Sequence, residues 1–112
     1  MTDSRQDKLK IVQRDGFRCL GCGQSSYLSV HEIQYRSAGG KCVPANQATL
    51  CMLKPDGKIP CHKKIEDPHF MLSVMEKHMD RWSKKTWTWI IKRCEYLDYK
   101  KDMKDESINK GL

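Results

Sequence analysis

Residues 51–62 read CMLKPDGKIPCH, and how that stretch closes decides what kind of fold the chain has. Nine residues separate Cys51 from Cys61, with Pro55-Asp56-Gly57 among them. Pro-Asp-Gly is a turn signal: proline presets φ, aspartate hydrogen-bonds nearby backbone, and glycine accepts positive φ. A loop that folds back there brings Cys61 beside Cys51. Upstream, Cys19 and Cys22 stand in CLGC (19–22), a spacing that lets two thiolates reach one ion with little chain strain. The two pairs together predict a tetrahedral structural zinc site, against the alternative of buried free thiols. Zinc of this kind staples a fold and carries no activity of its own. Cys42 has no close partner in sequence, and Cys94 falls on an apolar helical stripe and reads as core.

The rest of the composition agrees with a need for such a staple. The chain has 112 residues, of which 38% are hydrophobic and 31% charged, and its mean hydropathy is −0.73. Small domains with so lean a core usually draw on a metal or on disulfides. No apolar run reaches the length of a membrane helix, and MTDSRQDKLK (1–10) lacks the apolar stretch of a signal peptide. The expectation is a cytoplasmic chain with no membrane partner, where paired cysteines more often bind metal than each other. That argues against a secreted disulfide scaffold. The net charge of +7 fits a polyanionic partner. Basic residues are spread through both halves, so any affinity for nucleic acid would come from the summed field and fall with salt.

Three segments follow from the local signals. RQDKLKIVQRDGFR (5–18) reads as a short helix stopping at Asp15-Gly16, a common turn dipeptide. Residues 19–66 are rich in Cys, Gly and Pro, with short strand-like pieces such as YLSVHEI (27–33). Residues 67–112 read as helical. Asp67 and Pro68 are placed as N-cap and first helical residue. Phe70, Met71, Val74, Met75, His78 and Met79 then recur at helical spacing. Ser83 is placed as the cap of another helix, with Trp87, Ile90, Ile91, Cys94 and Leu97 as its stripe, and the polar end from Lys100 is expected to fray. The fold class expected is α+β, with residues 1–66 as one domain and residues 67–112 as a helical extension packing on it or mediating contacts.

Three further residues interleave with the cysteines: His31, Asn46 and His62, spaced 15 and 16 positions apart. The order is Cys-x-x-Cys, His-Glu-Ile, Gly-Gly, Asn with Leu-Cys following, and Cys-His. With those elements in register, RDGFRCLGCG…SVHEIQYRSAGG…PANQATLC…CH resembles the HNH endonuclease family, in its four-cysteine zinc subgroup, over about residues 10–65. The resemblance implies a zinc-stapled ββα-metal domain, a β-hairpin followed by a helix cradling one divalent metal beside a scissile phosphate. The hairpin would run from about Ser29 to Leu50, with SAGG (37–40) in its loop, and the helix would begin near Cys61. Carried over by position, His31 and His62 would ligate the catalytic metal, such as magnesium, manganese or nickel. Asn46 would hold the hairpin loop and orient the base, and Cys19, Cys22, Cys51 and Cys61 would be the zinc ligands.

This chain departs from the family pattern at Glu32, where most members carry the histidine base. A His-Glu-Ile form also occurs among relatives, many of them phage-like. Successive strand residues point to opposite faces, so His31 and Glu32 share one site only if the strand is bent or bulged there, or if they have different jobs. An unperturbed glutamate, with a pKa of about 4.3, is ionised at neutral pH but is a weak base. Glu32 therefore reads either as a base raised by burial or as a hard oxygen ligand, with His31 essential in either case. Arg36 reads equally as a phosphate clamp and as a solvated hairpin charge.

The activity implied is metal-assisted hydrolysis of a DNA phosphodiester. The alternative is a zinc-binding DNA-interaction module that has lost its base. DNA is the partner expected. Phage packaging proteins are a partner class that relatives suggest. His69 and His78 fall at no motif position and read as helix-face residues, and the Met and Trp residues of the extension read as core or helix-packing contacts ahead of a dimer interface or a DNA-stacking role.

Overall fold

The computed structural model describes residues 4–110, with side chains described from 7 to 102. Its elements run α1 (Ser4–Arg14), β1 (Leu28–Glu32), β2 (Gln47–Cys51), α2 (Pro68–Glu76) and α3 (Lys84–Lys110). Single 3₁₀ turns stand at Arg36–Ala38, Pro44–Asn46 and Cys61–Lys64. The fold is a small α+β one: three helices around a two-stranded antiparallel sheet. No helix among the described residues is long and apolar enough to cross a membrane.

The two strands pair in a regular register, Leu28 opposite Cys51 and Glu32 opposite Gln47, and Ile33 N–H extends the ladder to Asn46 O at 2.8 Å. There is no bulge at His31. Pleat alternation therefore puts Ser29, His31, Ala48 and Leu50 on one face and Val30, Glu32, Gln47 and Thr49 on the other. All five residues of β2 are buried, which explains why two strands suffice: both faces are covered. Leu20 N–H also donates to Thr49 O at 2.9 Å, so the cysteine knuckle occupies the outer side of β2.

α1 ends where Asp15-Gly16 predicts, with Gly16 at φ 72°. Asp15 itself is an unforeseen tie. Its side chain is fully buried and accepts from the Thr49 N–H at 3.0 Å, from Arg14 at 2.8 and 3.1 Å, and from Arg81. One carboxylate thus joins α1, β2 and the α2–α3 connection. Arg14 also donates to Pro44 O and Gln47 O at 2.8 and 2.7 Å, and its guanidinium lies over Trp82.

The helix expected near Cys61 is instead one 3₁₀ turn, Cys61–Lys64, and α-helix begins only at Pro68. The reason is local. Proline clashes with an α-helical residue before it, so Asp67 is held extended, at φ −86° and ψ 107°. Asp67 then caps α2, its Oδ1 accepting from His69 N–H at 3.0 Å, with Pro68 as the first helical residue. Met71, Val74 and Met75 are buried as the periodicity predicts. Met79 is exposed, because α2 ends at Glu76 and the stripe does not continue past it.

Ser83 caps α3 through Thr86 N–H at 3.1 Å. Ile90 and Cys94 are buried, but Ile91 and Leu97 are exposed. α2 has 9 residues and α3 has 27, so at 1.5 Å per residue α3 outruns the surface able to cover it by tens of ångströms. The backbone of α3 is helical through Lys110, past the start of the polar end at Lys100. Residues on both sides of position 66 share one buried cluster, Leu50, Cys51 and Cys61 with Met71, Val74, Met75, Trp82 and Ile90.

Asp15→Asn keeps the shape of the buried tie and strips its charge from between two arginines. Chemical denaturation of the metal-loaded protein should show a loss of about 2–3 kcal/mol. A loss under about 0.5 kcal/mol, the usual range for surface changes, would refute the role given to Asp15.

Candidate functional site

The four cysteines of the two predicted pairs meet. The Sγ atoms of Cys19, Cys22, Cys51 and Cys61 all lie within 4.8 Å of one another, close enough to hold one metal ion such as zinc. The knuckle closes through Gly23 N–H to Cys19 O and Cys19 N–H to Gln24 O, both at 2.8 Å. Cys61 N–H donates to Cys51 Sγ at 3.3 Å, a bond that favours a thiolate at Cys51. Gly21 is required by contact: a Cβ there would stand 2.7 Å from Cys61 Sγ and 2.8 Å from the Phe70 ring. The loop of residues 52–60 turns at Gly57, φ 81°, and returns the chain to Cys61. Cys42 and Cys94 stand outside the cluster. Cys94 is buried in α3, and Cys42 is exposed and accepts from Gln47 Nε2 at 3.3 Å.

The thiols differ in their readiness to ionise. Burial works against ionisation of Cys22, but the Gln24 backbone N–H and then the neighbouring thiols outweigh it and bring Cys22 down to about 7. Burial, followed by the thiols of Cys19 and Cys22, pushes Cys61 upward. The exposed Lys54 ammonium lies beside Cys22 and is held more firmly protonated by it. A cluster of thiolates repels itself, and a divalent cation at its centre removes that penalty.

The histidines expected at one site also come together. His31 is in β1 and His62 is in the turn after Cys61. Their rings stack with centroids 5.6 Å apart and planes 16° apart. Cys61 anchors this arrangement, because fixing it against Cys51 fixes the next residue too. Ser29 Oγ lies within hydrogen-bonding distance of His31 Nε2, two residues along the strand on the same face. Burial first, then the charges of His62 and Lys8, lower the His31 pKa below its ordinary value, so the ring is neutral at pH 7. His62 Nδ1 is buried with no hydrogen-bond partner among the described residues.

Asn46 is buried in the hairpin loop and spans it. Its Nδ2 donates to Gln34 O at 3.0 Å and Lys41 O at 2.9 Å. Its Oδ1 accepts from Gln34 N–H at 2.8 Å and from the Thr86 hydroxyl at 3.2 Å. The glycine pair of the same loop has a matching reason, for a Cβ on Gly40 would overlap the Gln34 carbonyl. Gln34 and Thr86 are partners that sequence reasoning did not single out, and no motif signals them. Ser29 was findable, since positions i and i+2 of a strand share a face.

Glu32 is not brought to the histidine pair. The regular pleat sends it to the opposite face, and its carboxylate accepts from Arg36 Nε at 3.1 Å. Arg36 is 72% exposed and opens the 3₁₀ turn four positions after Glu32. His69 is exposed and meets Asp98 at 2.9 Å, and His78 is half-buried near Arg81, so neither joins the site. No family model matches the chain, nor does any curated protein or solved structure.

Loading the four-cysteine cluster should take one zinc per chain and release protons, because Cys61 is protonated at neutral pH when metal-free. Affinity should therefore fall as pH drops, most steeply once Cys22 also protonates below about 7. Competitive titration at several pH values checks the sign. Metal content unchanged in a Cys51→Ser, Cys61→Ser double variant would exclude this cluster as the zinc site.

Proposed function

We propose that the chain is a metal-dependent DNA endonuclease of the HNH kind, with zinc at the four cysteines as its structural staple. The observation that carries this reading is the meeting of His31 and His62 across 31 residues of sequence, next to the cysteine cluster that holds the second of them in place. A module that only bound zinc would need the cysteines and would have no use for two stacked imidazoles.

His31 and His62 fit a divalent cation by their chemistry. One is kept neutral, which is the ligating form, and the other presents a buried ring nitrogen that lacks a partner. If His31 donates its Nε2–H to Ser29 Oγ, the hydroxyl fixes the tautomer and leaves Nδ1 its lone pair, the usual support for a ligating histidine. When bound, the ion would neutralise phosphate charge and lower the pKa of a coordinated water. Asn46 locks the hairpin loop so that His31 and Arg36 keep a fixed spacing. Arg36, exposed at the rim, supplies a guanidinium for a phosphate oxygen while Glu32 orients it. Its role is then positioning, and with His31 as a ligand proton removal falls to the solvent.

One observation favours the second reading, a DNA-interaction module without cleavage: Glu32 occupies the position of the family's base yet is engaged by Arg36 on the opposite pleat face. Plasmid nicking with added magnesium, manganese or nickel separates the two. Wild type should nick, His31→Ala and His62→Ala should lose at least 100-fold, in line with loss of a metal ligand or base, and Glu32→Ala should lose less. Protonation of His31 should begin to limit activity only at a pH under the ordinary imidazole value, which a pH–rate profile of His31→Ala against wild type checks. No cleavage with any of these metals, with DNA binding intact, would establish the module instead.

A further inference from the structure

A cleft of about 420 Å³ lies where the first turns of α3 meet the corner after β1. Its lining is Gln34, Lys84, Lys85, Thr88, Trp89 and Lys92. Three of these six are cationic, none is acidic, and among the described residues no carboxylate lies within ion-pair distance of the three lysines. The sequence reading gave Trp89 to core or helix packing and the lysines to a field summed over the whole chain. A cleft bordered by three cations and no carboxylate raises the local concentration of anions.

The arrangement is ordered. Lys84, Thr88 and Lys92 form one row of α3 at steps of four, and Lys85 and Trp89 form the row beside it. Lys84 and Lys92 are thus about 12 Å apart along the axis, far enough for the two ends of the row to meet different phosphates of one strand. Lys85 Nζ donates to Gly39 O at 2.7 Å, which fixes that ammonium at the mouth and leaves it further donors. Trp89 is held from behind: Arg93 lies 4.8 Å over its ring, and Tyr35 abuts it edge-on at 5.2 Å. Neither Arg93 nor Tyr35 lines the cleft, so the part of the indole that does is free of both. A fixed aromatic surface flanked by unpaired lysines is the composition that binds a single strand, with backbone on cations and a base on the ring. The volume lies within the range that small-ligand sites occupy, about 300–1,000 Å³.

We infer that this cleft is a single-stranded DNA site, in which Lys84, Lys85 and Lys92 hold backbone phosphates and Trp89 stacks one unpaired base. The inference rests on the reading of DNA as substrate and deepens it. It places the strand beside Gln34, whose backbone N–H and C=O both bond Asn46, so the site is built onto the loop that the asparagine clamps. The substrate class is then DNA with an unpaired segment: a fork, flap or frayed end.

The test is anisotropy titration of a labelled oligothymidine, using His31→Ala protein with zinc bound and no other divalent ion, so that binding is read apart from cleavage. Lys84→Ala and Lys92→Ala should each reduce the slope of log affinity against log salt by about 0.7, whereas Lys101→Ala should not. Trp89→Leu keeps apolar bulk against Tyr35 and removes the stacking surface. It should weaken binding by roughly 5- to 150-fold, and Trp89→Phe should restore most of it. Slopes unchanged in both lysine variants would overturn the site. So would equal affinity for duplex of the same length together with an unaffected Trp89→Leu, which would mark the cleft as a general polyanion patch. Nicking that fails while these shifts hold would sink the nuclease and leave the cleft standing. Nicking that persists while these shifts are absent would do the reverse.

Discussion

Four sulfur atoms within 4.8 Å of one another decide the rest of this structure. A two-stranded sheet is marginal on its own, and the apolar content of the chain is small. What makes the arrangement hold is that the cysteine knuckle runs along one side of β2 while Cys51, the last residue of β2, and Cys61 close the other half of the cluster. Metal affinity in such sites is folding free energy, since the unfolded chain has no preformed cage. The cluster also fixes direction. Cys61 is seated against Cys51, so His62 must emerge beside the sheet, and the pleat has already turned His31 to that face.

A second constraint comes from charge inside the fold. Asp15 is buried, yet three elements reach it with a backbone N–H and two guanidinium groups. Burying one carboxylate is costly unless its hydrogen bonds are made, and here they are. The result is specific: α1 and the α2–α3 connection can sit in one place only, where Thr49 N–H, Arg14 and Arg81 converge. The thiol cluster and this carboxylate grip β2 from different residues, Cys51 and Thr49, and between them leave the strand no freedom to slip register.

The sequence was most legible where short-range chemistry decides. The Pro-Asp-Gly turn, the Cys-x-x-Cys knuckle, the Asp67-Pro68 cap and the Ser83 cap each depend on two or three neighbouring residues, and each stands where those residues put it. The pairing of Cys19 and Cys22 with Cys51 and Cys61 was legible for the same reason, because two local clips need only one ion between them. Readings failed where a local rule was overridden or a long-range partner mattered. The helix after Cys61 is cut short by the same proline that starts α2. Ile91 and Leu97 continue an apolar stripe for which the fold supplies no cover. Nothing local says that Asp15 meets Arg81, 66 positions away, or that Glu32 turns from His31 to Arg36. The α+β class follows from the segments, while the proposed nuclease chemistry rests on two imidazoles and a resemblance.

Asn46 has one further consequence. Both of its amide hydrogens and both lone pairs of its carbonyl oxygen are already committed to Gln34, Lys41 and Thr86. The side chain has no valence left for any visitor. The hairpin loop is therefore shaped before a ligand arrives, and the entropy of ordering it is lost once, during folding, instead of at every encounter. A rim arranged in advance would lose little freedom when a ligand settles on it, so residence time would be governed by the contacts themselves.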